Sequence, residues 1–204
     1  MRKIIKMIEE IEPHPHLIKY FEITNNFKSN LTVTDFTTNG EHYNILSNID
    51  QNILLLKRLE ERGLLKDSNS ICDCGVGLGN CLFEIYLQSE EIDKKFKFTG
   101  IEKQNVYINF IKDNLLHLWN NQINLINDDI MNIDYSQFNI VYSYSPFNNK
   151  NGLKRMYQKI SDEIEPGCLI IENANCGKGH FNLLSEISNL EEIELDEIYI
   201  YKKI

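Results

Sequence analysis

The stretch Ile71-Cys72-Asp73-Cys74-Gly75-Val76-Gly77-Leu78-Gly79-Asn80 constrains this chain more than any other. A short β-prone run enters it, three glycines at alternate positions follow, and a helix-forming segment, Cys81 to Gln88, leaves it. That is the pattern of a strand, a tight turn and a helix start. Glycine lacks a Cβ, so the backbone can take positive φ and let a ligand approach closely, while the first N–H groups of the helix have no intrahelical partner. By itself such a turn is a weak signal. Its company makes it strong.

Downstream, β-prone and helical stretches alternate. Asn69 to Cys74 reads as the first strand, Phe96 to Glu102 as the second, Ile123 to Asn127 as the third, Phe138 to Tyr144 as the fourth and Cys168 to Asn173 as the fifth. Between them, Asn105 to Trp119 reads as one helix and Gly152 to Ile164 as another, ended by Pro166-Gly167. His180 to Ser188 reads as a last helix before two β-prone pieces, Glu192 to Leu195 and Ile198 to Lys203. Their joint is too short for a parallel crossover, so they pair antiparallel. The alternation predicts an α/β fold, a doubly wound, mostly parallel seven-stranded sheet with an antiparallel last strand.

Ahead of the sheet, residues 1–46 read as an N-terminal extension or lid. Met1 to Ile11 suits a short helix stopped by Pro13 and Pro15, and Phe21 to Tyr43 is irregular, with aromatics that seal a core or cover a pocket. A further helix is expected from Ser47, its N-cap, with Ile49, Ile53, Leu56 and Leu59 as its apolar stripe and Gly63 as its stop. With 204 residues the chain suits one domain, residues 47–204, plus that extension.

Arg2, Lys3, Lys6, Glu9 and Glu10 interrupt the first ten residues, so no secretory signal is expected, and no apolar run reaches membrane-spanning length. Five cysteines then imply reduced thiols and a cytoplasmic setting. Cys72, Cys74 and Cys81 lack the paired spacing of a zinc site and read as packing residues, so no metal is expected. A formal net charge of −9 argues against broad capture of nucleic acid. The acidic run from Glu186 to Glu197 reads as a solvated edge strand, with a cationic partner as the functional alternative.

In an open parallel sheet the ligand lies at the carboxyl ends of the strands. Four segments meet there: the glycine turn; Glu102, roughly 20 residues beyond it and able to accept from both hydroxyls of a ribose; Asp128-Asp129-Ile130; and Tyr144-Ser145-Pro146-Phe147. A dinucleotide fingerprint would place its third glycine where Asn80 stands, and no Walker lysine follows the turn. Asp73, two residues before Gly75, disfavours a pyrophosphate and favours an ammonium or a sulfonium.

In order and spacing, Asp73-x-Gly75-x-Gly77-x-Gly79, Glu102, Asp129 and the exit from Tyr144 to Phe147 resemble the motifs of the class I, seven-stranded S-adenosylmethionine-dependent methyltransferases, over about residues 45–204. The resemblance implies S-adenosylmethionine as cofactor. Asp73, Gly75, Gly77 and Gly79 would hold its methionine part, Glu102 its ribose, Asp129 its adenine amino group, and Ile130 would lie against the adenine ring. Ser47 to Gln51 sits where many relatives add a contact to the cofactor's carboxylate end.

The exit decides the acceptor. Ser145-Pro146-Phe147 partly matches the Asp/Asn/Ser-Pro-Pro-aromatic exit of base amino-group methyltransferases, and looks closer to small methyltransferases related to the disruptor-of-telomeric-silencing type of lysine methyltransferases. These carry aromatic-Asn-Pro-Phe there; Ser145 replaces the Asn. Tyr144, Ser145, Pro146 and Phe147 are therefore the expected catalytic segment, with a rigid proline turn as the structural alternative. The expected reaction is direct methyl transfer, to nitrogen of a protein or small-molecule amine. A nucleic-acid methyltransferase and a non-catalytic cofactor-binding module serving a partner are the other readings.

Overall fold

The computed structural model describes residues 15–29, 54–144, 146–147, 149–172, 183–195 and 198–204. Among them seven strands form one sheet: β1 (Ser68–Cys74), β2 (Lys95–Ile101), β3 (Ile123–Ile126), β4 (Ile140–Ser143), β5 (Leu169–Glu172), β6 (Leu190–Leu195) and β7 (Ile198–Lys203). The strand order is β3-β2-β1-β4-β5-β7-β6. β1 to β5 pair parallel, while β7 runs antiparallel to both β5 and β6. The expected sheet, with its antiparallel last strand, is the one observed.

The helices among the described residues are α1 (Pro15–Ser29), α2 (Leu55–Glu61), α3 (Asn80–Ser89), α4 (Asn105–Phe110) and α5 (Lys150–Glu163). Strand residues alternate between two cores, as a period of two dictates. Ile71, Ile140, Tyr142, Leu169 and Ile171 face one core, which Tyr20 of α1, Leu55, Leu56 and Leu59 of α2, and Phe83 of α3 complete. Cys72, Cys74, Val141 and Ile170 face the other, closed by Leu153, Met156, Tyr157 and Ile160 of α5. Each such fully buried side chain contributes about 1.5–3 kcal/mol. Both cysteines of β1 are thus wall residues. β6 is the edge strand, and Glu191 and Glu192 on it are exposed, while Asp196 and Glu197 of the acidic run lie outside the described residues.

Four local expectations are corrected. The chain from Phe21 is not irregular as far as Ser29, because α1 runs from Pro15 to Ser29. Proline is well suited to a first helical position, where its missing N–H costs nothing, and Leu17, Tyr20 and Thr24 form the buried face. A continuous helix from Ser47 is also excluded, since Leu54 is left-handed (φ 67°, ψ 13°) and α2 begins after it. Ser47, Ile49 and Ile53 themselves lie outside the described residues, as do Met1 to Ile11. The single helix from Asn105 to Trp119 is instead α4, then a π-helical turn (Ile111–Leu115) and a 3-10 turn (Leu116–Trp119). That rewinding brings Ile111, Leu115, Leu118 and Trp119 all into the first core. Finally, the described part of His180 to Ser188 contains only a 3-10 turn, Leu184–Glu186. Leu183 and Leu184 bury, and Leu190 already starts β6, so little length is left for a helix. No helix among the described residues is long and apolar enough to cross a membrane.

Candidate functional site at the carboxyl edge of the sheet

β1 ends at Cys74 and the chain turns through Gly75 (φ 83°), Gly77 (φ 54°) and Gly79 (φ 83°) before α3 starts at Asn80. The turn is tied to the end of β2: the N–H groups of Gly75 and Val76 both donate to the Ile101 carbonyl, at 3.0 and 2.8 Å. Gly79 N–H donates back to Val76 O at 2.7 Å. Positive φ is one reason for glycine here, and space is the other. A Cβ on Gly75 would stand 2.9 Å from Cβ of Pro146, and one on Gly79 would stand 2.7 Å from the Trp119 ring and 2.8 Å from the Tyr20 hydroxyl. The first of these contacts matters for the site, because it presses the exit segment after β4 onto the glycine turn after β1.

Two carboxylates border this turn. Asp73, the penultimate residue of β1, is 3% exposed, and burial together with the nearby Glu102 pushes its carboxyl group up to about 8. Glu102, directly after β2 and 9% exposed, accepts from Gly77 N–H at 3.1 Å through Oε2 and from Gln104 N–H at 2.8 Å through Oε1. Glu102 is therefore aimed at the turn by backbone donors. Asp73, by contrast, holds its proton more tightly than a free carboxyl group, first because burial disfavours its charged form and then because the negative charge of Glu102 lies close by.

Beyond β3, Asp129 caps the 3-10 turn Ile130–Asn132, its Oδ1 accepting from Met131 N–H at 2.9 Å. Its Oδ2 pairs with Lys103 Nζ at 3.4 Å, an exposed ion pair of little strength that a ligand can displace. Ile130 is buried in the second core, and its carbonyl accepts from the Tyr135 hydroxyl at 2.9 Å. Asp129 and Ile130 are thus fixed in place at the end of the strand next to β2.

After β4, Tyr144 is half-buried against the first core and Phe147 against the second, so the two aromatics lie on opposite faces of the sheet. Phe147 packs on the start of α5, where a Cβ on Gly152 would meet its ring at 3.0 Å. Asn149 caps α5 by accepting from Gly152 N–H at 2.7 Å. Pro146 is half-buried over Gly75. Ser145 and the segment Ser47 to Gln51 lie outside the described residues.

Further residues at this edge were not singled out from the sequence. Tyr20 of α1 donates its hydroxyl to the Leu78 carbonyl, within the glycine turn. Its signal was present in the spacing Leu17, Tyr20, Thr24 after Pro15. Glu172, the last residue of β5, is fully buried beside Ser143 in the sheet register. Burial pushes its carboxyl group up to about 7, moderated by the Tyr157 hydroxyl, yet neither oxygen completes a hydrogen bond of ordinary geometry. Nothing in a one-residue acidic strand end reveals this. Among the described residues no group of three or more His, Cys, Asp or Glu is placed to hold a metal ion.

Strand order, the antiparallel β7 and the glycine turn after β1 give a seven-stranded, Rossmann-like architecture of the kind seen in class I S-adenosylmethionine-dependent methyltransferases. The chain is similar to the S-adenosylhomocysteine-bound methyltransferase PaMTH1 of Podospora anserina, with a TM-score of 0.66, 12% identity, and coverage of 100% of this chain and 94% of that one. It is also similar to a Listeria monocytogenes protein assigned to the class I S-adenosylmethionine-dependent methyltransferases, with a TM-score of 0.62, 14% identity and coverage of 89% of this chain. It spans 65% of that protein's length. An RNA methyltransferase from Salinibacter ruber, in complex with S-adenosylhomocysteine, gives a TM-score of 0.52 at 12% identity, covering 78% of this chain and 92% of that one. No family model and no curated protein matches the sequence.

Proposed function

We propose that this chain is an S-adenosylmethionine-dependent methyltransferase acting on nitrogen of a protein or small-molecule amine. One observation carries the cofactor: a left-handed glycine turn and a helix start are bordered by two buried carboxylates, Asp73 and Glu102, at the carboxyl edge of β1 and β2. A pyrophosphate would meet the negative charge of Glu102 and a buried Asp73 that it keeps from ionising, whereas a cationic amino-acid end beside Asp73 and a ribose beside Glu102 match both acids. Gly75, Gly77, Gly79 and Asp73 are assigned to the methionine part, Glu102 to the ribose hydroxyls, and Asp129 with Ile130 to the adenine. The bound cofactor supplies a sulfonium methyl group open to direct displacement.

The protein's share of such a reaction is alignment and exclusion of water rather than acid–base chemistry. Pro146, pressed on Gly75, fixes the exit segment against the cofactor turn, which supports Tyr144, Ser145, Pro146 and Phe147 as the acceptor segment. Tyr144 and Phe147, from opposite faces of the sheet, would seal its two sides. The same exit supports a place near the small relatives of the disruptor-of-telomeric-silencing type of lysine methyltransferases. The net charge of −9 favours a cationic amine over a polyanion, and free cysteines suit a cytoplasmic setting. Residues 1–46 are assigned to an extension and 47–204 to the cofactor-binding domain.

Calorimetry is expected to show S-adenosylhomocysteine binding that Glu102→Ala weakens about tenfold or more, since buried acceptors lost to a ligand's hydroxyls cost that much. No binding by the wild type would sink the cofactor assignment. Labelled methyl transfer into fractionated host lysate then reads the acceptor. Label in protein or small molecules is expected; label in nucleic acid overturns the acceptor class and leaves the cofactor in place.

A further inference from the structure

α1 is not a detached appendage of the sheet. Tyr20 is fully buried. Its ring stacks on Phe83 of α3 at 4.3 Å and 15°, and meets Trp119 edge-on at 5.7 Å and 62°. The hydroxyl donates to the carbonyl of Leu78. The other half of the same peptide unit, Gly79 N–H, donates to Val76 O at 2.7 Å. The peptide between Leu78 and Gly79 is thus held at both ends, on one side by the turn itself and on the other by a side chain 58 residues earlier in the chain. Space there is filled as well, since a Cβ on Gly79 would stand 2.8 Å from that hydroxyl.

A tight glycine turn has many conformations open to it, and only some of them leave its backbone open to the close approach of a ligand. Fixing one peptide orientation in advance removes an ordering cost from binding. The hydroxyl is suited to this role at any physiological pH: burial pushes the Tyr20 phenol well above its usual value, and Cys81, Asp73 and Glu84 add to the shift, so it stays a neutral donor.

We propose that Tyr20 is a positioning residue for the cofactor, its hydroxyl locking the Leu78–Gly79 peptide so that docking of α1 and binding at the glycine turn favour one another. The proposal rests on the cofactor reading given above. Because coupling between two equilibria is reciprocal, cofactor binding must in turn stabilise docked α1.

Two measurements test it on the full chain. Tyr20→Phe keeps the stack on Phe83 and removes only the hydroxyl. It is expected to weaken S-adenosylhomocysteine binding in calorimetry roughly tenfold, the scale of one buried hydrogen bond. Global stability alone would not move the dissociation constant of a protein that remains folded. In the wild type, hydrogen exchange of α1 amides is expected to slow on adding S-adenosylhomocysteine, a readout independent of how the variant folds. Wild-type affinity in Tyr20→Phe, or α1 exchange unchanged by ligand, overturns the proposal alone. Absence of binding by the wild type overturns it together with the cofactor reading.

Discussion

Asp73 is the residue at which fold and chemistry compete. In the unfolded chain its carboxyl group titrates at the ordinary value of 3.8, whereas burial and the charge of Glu102 hold it near 8 in the folded protein. Between those limits the folded state keeps a proton that the unfolded chain has released. Its contribution to stability is therefore fully present below about pH 4, falls as pH rises, and is gone above about 8. Glu172 acts in the same direction up to about 7. The ligand-free protein is expected to melt about 5 °C lower near pH 8.5 than near pH 6, and Asp73→Asn is expected to flatten much of that slope in thermal scans. An unaltered slope in the variant would show that Asp73 is not the titrating group. A cation bound beside Asp73 favours its charged form, so cofactor affinity should tighten over the same range in the wild type and not in Asp73→Asn. Asp73 was legible in the sequence as an acid before the first glycine, but its protonation was not. That depends first on burial and then on Glu102, which follows directly on the β2 strand that pairs with β1.

At the scale of elements, stops were easier to read than starts. Gly63 ends α2 as its sequence position suggested: it takes φ +68°, and its N–H and that of Leu64 close on Glu60 O and Leu59 O at 2.8 and 2.9 Å. Nothing lies within 4 Å of where its Cβ would be, so Gly63→Ala isolates backbone strain from packing. It is expected to destabilise by about 1 kcal/mol in denaturant titration, with little effect on ligand binding. Starts depended on context. Pro13 and Pro15 signal a break equally well whether a helix ends before them or begins on them. α1 begins on the second because Leu17, Tyr20 and Thr24 find a core to face. Likewise, the apolar residues from Asn105 to Trp119 fit a straight helix by period, while the sheet surface selects a rewound one with Trp119 inside.

For the whole molecule, α1, the glycine turn, α3 and Trp119 form one packed unit, so a ligand at the turn stabilises more than its own contacts. S-adenosylhomocysteine at about 100 times its dissociation constant is expected to raise the melting temperature by roughly 5–10 °C, corresponding to about 2.7 kcal/mol. A shift within the error of a buffer control would argue against a ligand site in the folded state. The sequence by itself determined the class of sheet, because period-two strands, glycine turns and the short joint before β7 are local signals that survive without neighbours. It also placed Asp73, Glu102, Asp129 and the exit after β4 at one edge, because in a parallel sheet all strand ends share that edge. Only the tertiary structure decided that Tyr20 reaches Leu78, that Pro146 bears on Gly75, and that Tyr144 and Phe147 take opposite faces. Those contacts join residues distant in the chain through close packing, and close packing is set by the shape of the whole core rather than by any run of residues within it.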